Sequence, residues 1–176
     1  PPRSTLFPYT TLFRSDEAQK AYAAKPQPVY KHQEAQINFL KGNCQKACDM
    51  FLDLTKSNLN GGELYFEAAQ AKTHLKAPAQ EIEVLLDSAI SVGARTGMAG
   101  NYYLARANFL NEQGQYRRAI QDYNMYDSIA RPVDASFFYT RYQCETKLRM
   151  WQPALLDIAR ACYLAQIGRA SCRVRV

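Results

Sequence analysis

Apolar residues recur along this chain at intervals of three and four, and no stretch alternates β-branched and polar residues in the manner of a strand. The interior is rich in Ala, Leu, Gln, Glu and Lys, residues that favour helix. Turn formers interrupt this pattern at Gly42-Asn43, Asn60-Gly61-Gly62, Ala77-Pro78, Gly93 and Gly97, Gly114, Pro132 and Pro153. Eight helices are predicted, over 29–41, 44–58, 62–77, 79–94, 98–113, 116–130, 134–149 and 152–165. The fold class expected is all-α, with consecutive helices paired into antiparallel hairpins.

The hairpins repeat. The clearest unit runs from Tyr103 to Tyr123, with Tyr103, Ala107, Leu110, Gly114, Tyr116, Ala119 and Tyr123 at its marked places. A second set, Phe138, Tyr142, Trp151, Ala154, Ile158 and Ala161, follows it, with Tyr142 in the place of a small residue and Met150 near the glycine turn. Earlier sets are Ala35, Gly42, Cys44, Ala47, Phe51 and Leu54, then Phe66, Ile82, Leu86 and Ala89. The marker positions Ala47, Ile82, Ala119 and Ala154 are 35, 37 and 35 residues apart. Between Val29 and Ala165 the chain resembles the tetratricopeptide repeat (TPR) family, whose period is about 34. The resemblance implies an α-solenoid of about four hairpins, at about 29–61, 62–97, 98–132 and 133–166, wound as a right-handed superhelix. Residues 16–28 read as a truncated preceding repeat or a linker. Ala107 and Ala119 are the expected close contact between helices, with Tyr103, Tyr116 and Tyr123 filling space around it. Gly114 makes the turn, and Ala154, Ile158 and Ala161 pack the last hairpin.

The resemblance also implies a function. First helices line a concave groove, which places Asn101, Leu104, Asn108, Asn111 and Glu112 there from the third repeat. Ser136, Tyr139, Gln143, Thr146 and Lys147 line it from the fourth. Amide side chains suit an extended peptide, because they pair with backbone groups. Asn108 matches one place of the family's carboxylate clamp, but Leu104 stands where a Lys is needed, so no clamp is expected. The reading is a non-catalytic scaffold for a protein or peptide partner, with contact to other parts of the same protein as an equal use of this face. A sensor or linker arm of a larger regulatory or catalytic protein is the alternative, and an RNA-binding helical repeat is disfavoured.

Charge changes the picture once the ends are set apart. Residues 1–15 (PPRSTLFPYTTLFRS) and 167–176 (IGRASCRVRV) read as translated sequencing-adapter DNA, with Val174 where the adapter codes Glu. The array is thus expected to be a piece of a longer protein, and its compartment, bacterial cytoplasm or periplasm, stays open. These ends hold five of the 22 basic residues and no acid, so the remainder carries (22 − 5) − 16 = +1. That is too little for a nucleic-acid surface. No apolar run between the ends is long enough to span a bilayer.

Candidate chemistry is sparse. Arg106 and Asp122 are 16 residues apart, as are Arg141 and Asp157, and the shared offset reads as a salt bridge within each hairpin. Cys44 and Cys48 share a helix face, but neither they nor Cys144 and Cys162 have zinc-ligand spacing, so no metal and no cofactor are expected. A Cys144–Cys162 disulfide is left open. His32 and His74 have no Cys, Ser or acid near them in sequence that would make a reactive set, and no glycine-rich phosphate loop is present.

Overall fold

The computed structural model describes residues 28–57 and 61–173, with side chains described as far as 166. The described residues form eight α-helices. They are α1 (Pro28–Leu40), α2 (Cys44–Leu54), α3 (Gly61–His74), α4 (Ala79–Thr96), α5 (Ala99–Glu112), α6 (Tyr116–Ala130), α7 (Ala135–Lys147) and α8 (Trp151–Arg173). The proposed adapter-coded ends lie outside the described residues, except that the backbone of 167–173 continues α8. The sequence ended this helix at 165 on the adapter boundary. No proline stops it there, and Gly168 alone costs a helix only about 1 kcal/mol.

Each hairpin turn has the same construction. One residue adopts a left-handed conformation: Gly42 (φ 83°), Lys76 (φ 53°), Gly114 (φ 72°) and Arg149 (φ 57°). The next N–H then donates to the carbonyl five residues back. These bonds are Asn43 to Asn38 at 2.9 Å, Ala77 to Lys72 at 3.1 Å, Gln115 to Leu110 at 2.8 Å and Met150 to Glu145 at 2.9 Å. This is the Schellman closure of a helix end. Pro153 had been read as a turn residue but sits in the first turn of α8, where its missing N–H costs nothing. Gly93 had also been read as a turn. It lies inside α4, with the Tyr102 ring so close that a Cβ would stand 2.6 Å from it.

The chain forms two compact units, one up to Leu85 and one from Leu86 onward. In the first, α2 packs against both α1 and α3. Ala35, Ala47, Cys48, Phe51, Leu54, Leu64, Ala68 and Ala71 form its core. In the second, α5 pairs with α6, α7 with α8, and α6 also packs on α7. Its core gathers Ala107, Leu110, Ala119, Ile120, Tyr123, Phe137, Phe138, Cys144 and Ala161. Ala107 and Ala119 are both fully buried in it, and Tyr116 packs at its edge. Tyr103 is partly buried, Ala154 is buried and Ile158 is partly buried.

Arg149 holds a conformation that costs a non-glycine residue about 1–2 kcal/mol. Arg149→Gly is therefore expected to stabilise the protein by about 1 kcal/mol despite glycine's greater freedom when unfolded. A thermal melt checks this, and an unchanged or lower Tm contradicts it.

Candidate partner-binding surface

The first helices of the second unit, α5 and α7, carry the expected groove residues. Asn101, Asn108 and Glu112 on α5 are exposed, as are Ser136, Tyr139, Gln143 and Lys147 on α7. Leu104, Asn111 and Thr146 are partly buried. Leu104 packs against the core and is only in part a surface residue. Asn111 is turned to internal use as well: its Oδ1 accepts from Cys144 Sγ at 3.2 Å, which links α5 to α7. Asn108 Oδ1 accepts from Tyr123 Oη at 2.8 Å. That bond sets the orientation of the Asn108 amide and leaves its Nδ2 to donate outward. Tyr139 lies beside Tyr142, with ring centroids 5.8 Å apart. This aromatic pair has one exposed member.

Two arginines hold these helices in place. Arg106 donates through Nε and Nη2 to Asp122 at 2.7 and 2.8 Å, and through Nη1 to Asp87 on α4. Arg141 donates through Nε and Nη2 to Asp157 at 2.6 and 2.9 Å. Its Nη1 reaches Asp127 at 2.9 Å and Asn124 at 3.2 Å, both on α6. The bidentate fork suits the planar guanidinium. Phe137 and Phe138 lie 5.1 and 5.7 Å from the Arg141 guanidinium carbon. The links to Asp87, Asp127 and Asn124 were not foreseen. Asp87, Asp122 and Asp157 stand 35 residues apart, a spacing that could have pointed to the first.

One buried carboxylate is out of place. Glu145 on α7 is 3% exposed, and its Oε2 has no hydrogen-bond partner. Burial pushes its carboxyl up to about 7, and the Asp157 charge adds to the shift against a smaller opposing pull from Arg141. Burial likewise raises the Cys144 thiol to about 11, so the thiol is protonated at neutral pH.

In the first unit His32 is partly buried and finds its partner far along the chain. Glu67, distant in sequence, accepts from His32 Nε2 at 2.5 Å and from Gln36 Nε2 at 2.7 Å, tying α1 to α3. His74 rests edge-on against Phe39. A shallow hollow bordered by Leu52, Pro78, Val84 and Leu85 is rimmed by the Lys72–Glu81 ion pair at 2.9 Å. Cys44, Cys48, Cys144 and Cys162 are free thiols. No group of three or more His, Cys, Asp or Glu among the described residues could hold a metal ion. No helix among them is long and apolar enough to cross a membrane.

Solved structures share the fold. A crystal structure of MamA superposes with a TM-score of 0.72 at 15% identity, covering 86% of each chain. MamA 41-end from Desulfovibrio magneticus RS-1 matches with a TM-score of 0.67 at 16% identity, over 80% of this chain and 76% of that one. BtubC (BKLC) from P. vanneervenii matches with a TM-score of 0.72 at 15% identity, over 92% of this chain and 71% of that one. The fold is a TPR-like α-solenoid. No family model and no curated protein matches the sequence.

Two outcomes follow for the ionic supports of this TPR-like fold. Asp157→Asn leaves a buried guanidinium short of its main partner and is expected to cost roughly 3 kcal/mol. Asp122→Asn should cost less, about 2 kcal/mol, because the Arg106 side chain is 19% exposed against 7% for Arg141. Equal melts for wild type and either variant contradict this. Glu145 gives the second outcome. Its folded-state value lies above the ordinary 4.5, so folding favours the protonated form. Its contribution is complete below about 4.5 and is lost as pH rises through about 7. At about 1.4 kcal/mol per pH unit this amounts to roughly 3 kcal/mol. Wild type should lose stability relative to Glu145→Gln between pH ~5 and ~8. A constant difference between the two across that range excludes the effect.

Proposed function

We propose that this chain is a non-catalytic interaction scaffold that binds an extended peptide or protein segment along α5 and α7. The observation that carries the reading is the Asn108 amide. Tyr123 occupies its oxygen and directs its N–H groups outward. A backbone carbonyl of an extended segment is the natural acceptor. Exposed Asn101, Gln143 and Tyr139 add amide and aromatic contacts, while Glu112 and Lys147 bring one charge of each sign. A surface already ordered by the Arg106 and Arg141 forks loses little freedom on binding. Membership of the TPR-like fold supports a protein partner, as does the near-neutral formal charge of residues 16–166, (22 − 5) − 16 = +1. The chemistry of the buried groups supports a non-catalytic role. The arginines are engaged by carboxylates, and burial keeps the Cys144 thiol protonated. His32 and Glu67 come nearest to an acid–base pair, and Gln36 joins them as a clamp between two helices.

A random peptide library selected on the wild-type protein tests the proposal. Peptides recovered by wild type should bind the Asn108→Ala, Tyr139→Ala double variant at least tenfold more weakly by titration calorimetry, about 1.4 kcal/mol or more. Equal affinity for the two proteins removes the α5–α7 surface from consideration.

A further inference from the structure

Little apolar surface holds α8 to the rest of the second unit. As far as residue 166 its buried side chains are two alanines, Ala154 and Ala161, and one acid, Asp157. Ile158 and Leu164 are only partly buried. The preceding second helix, α6, buries Ala119, Ile120 and Tyr123 around its own acid, Asp122. Isoleucine and tyrosine remove much more area from water than alanine does, so α8 has the weaker hydrophobic hold. What it has instead is the fork from Arg141 to Asp157, at 2.6 and 2.9 Å.

Glu145 works against that hold. It follows Arg141 by four residues, one turn along the same face of α7. Its counterpart in the preceding hairpin, Leu110, packs with Ala119, Ile120 and Tyr123 of α6. Glu145 thus stands where α7 meets α8, 3% exposed and with Oε2 unpartnered. Asp157 of α8 repels its charge, and Arg141 attracts it less strongly. The other charged groups around it are engaged or in water. Arg160 of α8 stands 3.9 Å from Asp157, Asp127 of α6 accepts from Arg141, and Glu112 of α5 is exposed. Burial keeps the Cys144 thiol of α7 and the Tyr123 phenol of α6 protonated well above neutral pH.

The double reach of Arg141 makes release of α8 feasible. When Asp157 leaves, Arg141 Nη1 still has Asp127 and Asn124 of α6, so the guanidinium is not left buried without an acceptor. Asp157 returns to water with Arg160 three residues along. Since α8 packs chiefly on α7, its opening need not disturb α5 or α6.

We infer that α8 is a proton-controlled latch on α7. With a proton on Glu145 the last hairpin is closed. When Glu145 ionises, the balance shifts towards a form in which α8 leaves α7 and water reaches the carboxylate, while α5, α6 and α7 stay packed. The closed form favours the protonated acid, because burial pushes Glu145 up to about 7 from the ordinary 4.5. Closure is therefore most secure below about 4.5 and weakens as pH rises through about 7. The difference of 7 − 4.5 = 2.5 corresponds to a roughly 300-fold change in the opening equilibrium, of which a factor of about 70 falls between pH ~5 and ~8.

Amide hydrogen exchange on the full chain, followed by mass spectrometry from pH ~5 to ~8 and corrected for the intrinsic exchange rate, measures this opening. In wild type the opening equilibrium of residues 151–166 should rise about 70-fold across the range, with residues 99–130 better protected throughout. Glu145→Gln should leave the opening of 151–166 independent of pH. Glu145→Leu, which places in this hairpin the residue the preceding one has, should keep α8 at pH ~8 at least as protected as wild type is at pH ~5. A wild-type α8 whose opening does not change with pH overturns the inference. So does a rise that persists in Glu145→Gln and Glu145→Leu, which would assign it to another group. Equal opening of 151–166 and 99–130 at pH ~8 also overturns it, because the unit would then open as a whole.

Discussion

One guanidinium held between carboxylates on two second helices sets the geometry of the last two hairpins. Arg141 leaves α7 in both directions, reaching α8 through Asp157 and α6 through Asp127 and Asn124. Arg106 does the same from α5, reaching α6 through Asp122 and α4 through Asp87. Each arginine therefore fixes the distance from a first helix to the second helices on both sides. Lysine could not replace it, since a point charge cannot address two carboxylates in fixed directions. Burying such a network costs desolvation that its own attraction roughly offsets. Its consequence lies in register. The α5–α7 surface is aligned because the arginines allow few other ways for these helices to meet.

The same burial creates the tension at Glu145. Its counterpart 35 residues earlier is Leu110, an apolar residue in the core. The last hairpin thus places an acid where the preceding one places a leucine, near the Asp157 charge that Arg141 already engages. Arg141 is already bonded to Asp157 and Asp127, and Glu145 Oε2 has no hydrogen-bond partner. A proton is the smallest ligand that resolves the excess, and the raised carboxyl value expresses that need. The ionic support and the titrating group are two parts of one buried cluster.

Most of the helical architecture was legible, because helix period and turn chemistry are local properties. All eight predicted helices have counterparts, and the Gly114 turn lies where the repeat placed it. Gly93 misled because a glycine that admits a neighbouring ring looks the same in sequence as one that makes a turn. The last turn, at Arg149, was not legible because arginine gives no sign of a left-handed conformation. The 16-residue offset pointed to the geometry within each hairpin. It could not show the arms reaching Asp127 and Asn124, which depend on how neighbouring hairpins pack. The inward use of Leu104 and Asn111 escaped for the same reason, as did the meeting of His32 with Glu67 across 35 residues.

Buried packing also reaches the surface chemistry through Tyr123. Its ring is wholly enclosed in the core, and burial pushes its phenol well above the ordinary range. The hydroxyl therefore stays a donor at any physiological pH, and the Asn108 oxygen stays its acceptor. The exposed N–H groups of Asn108 are thus set from inside the core. The arginine forks align the helices, the core fixes the tyrosine, and the tyrosine fixes the amide.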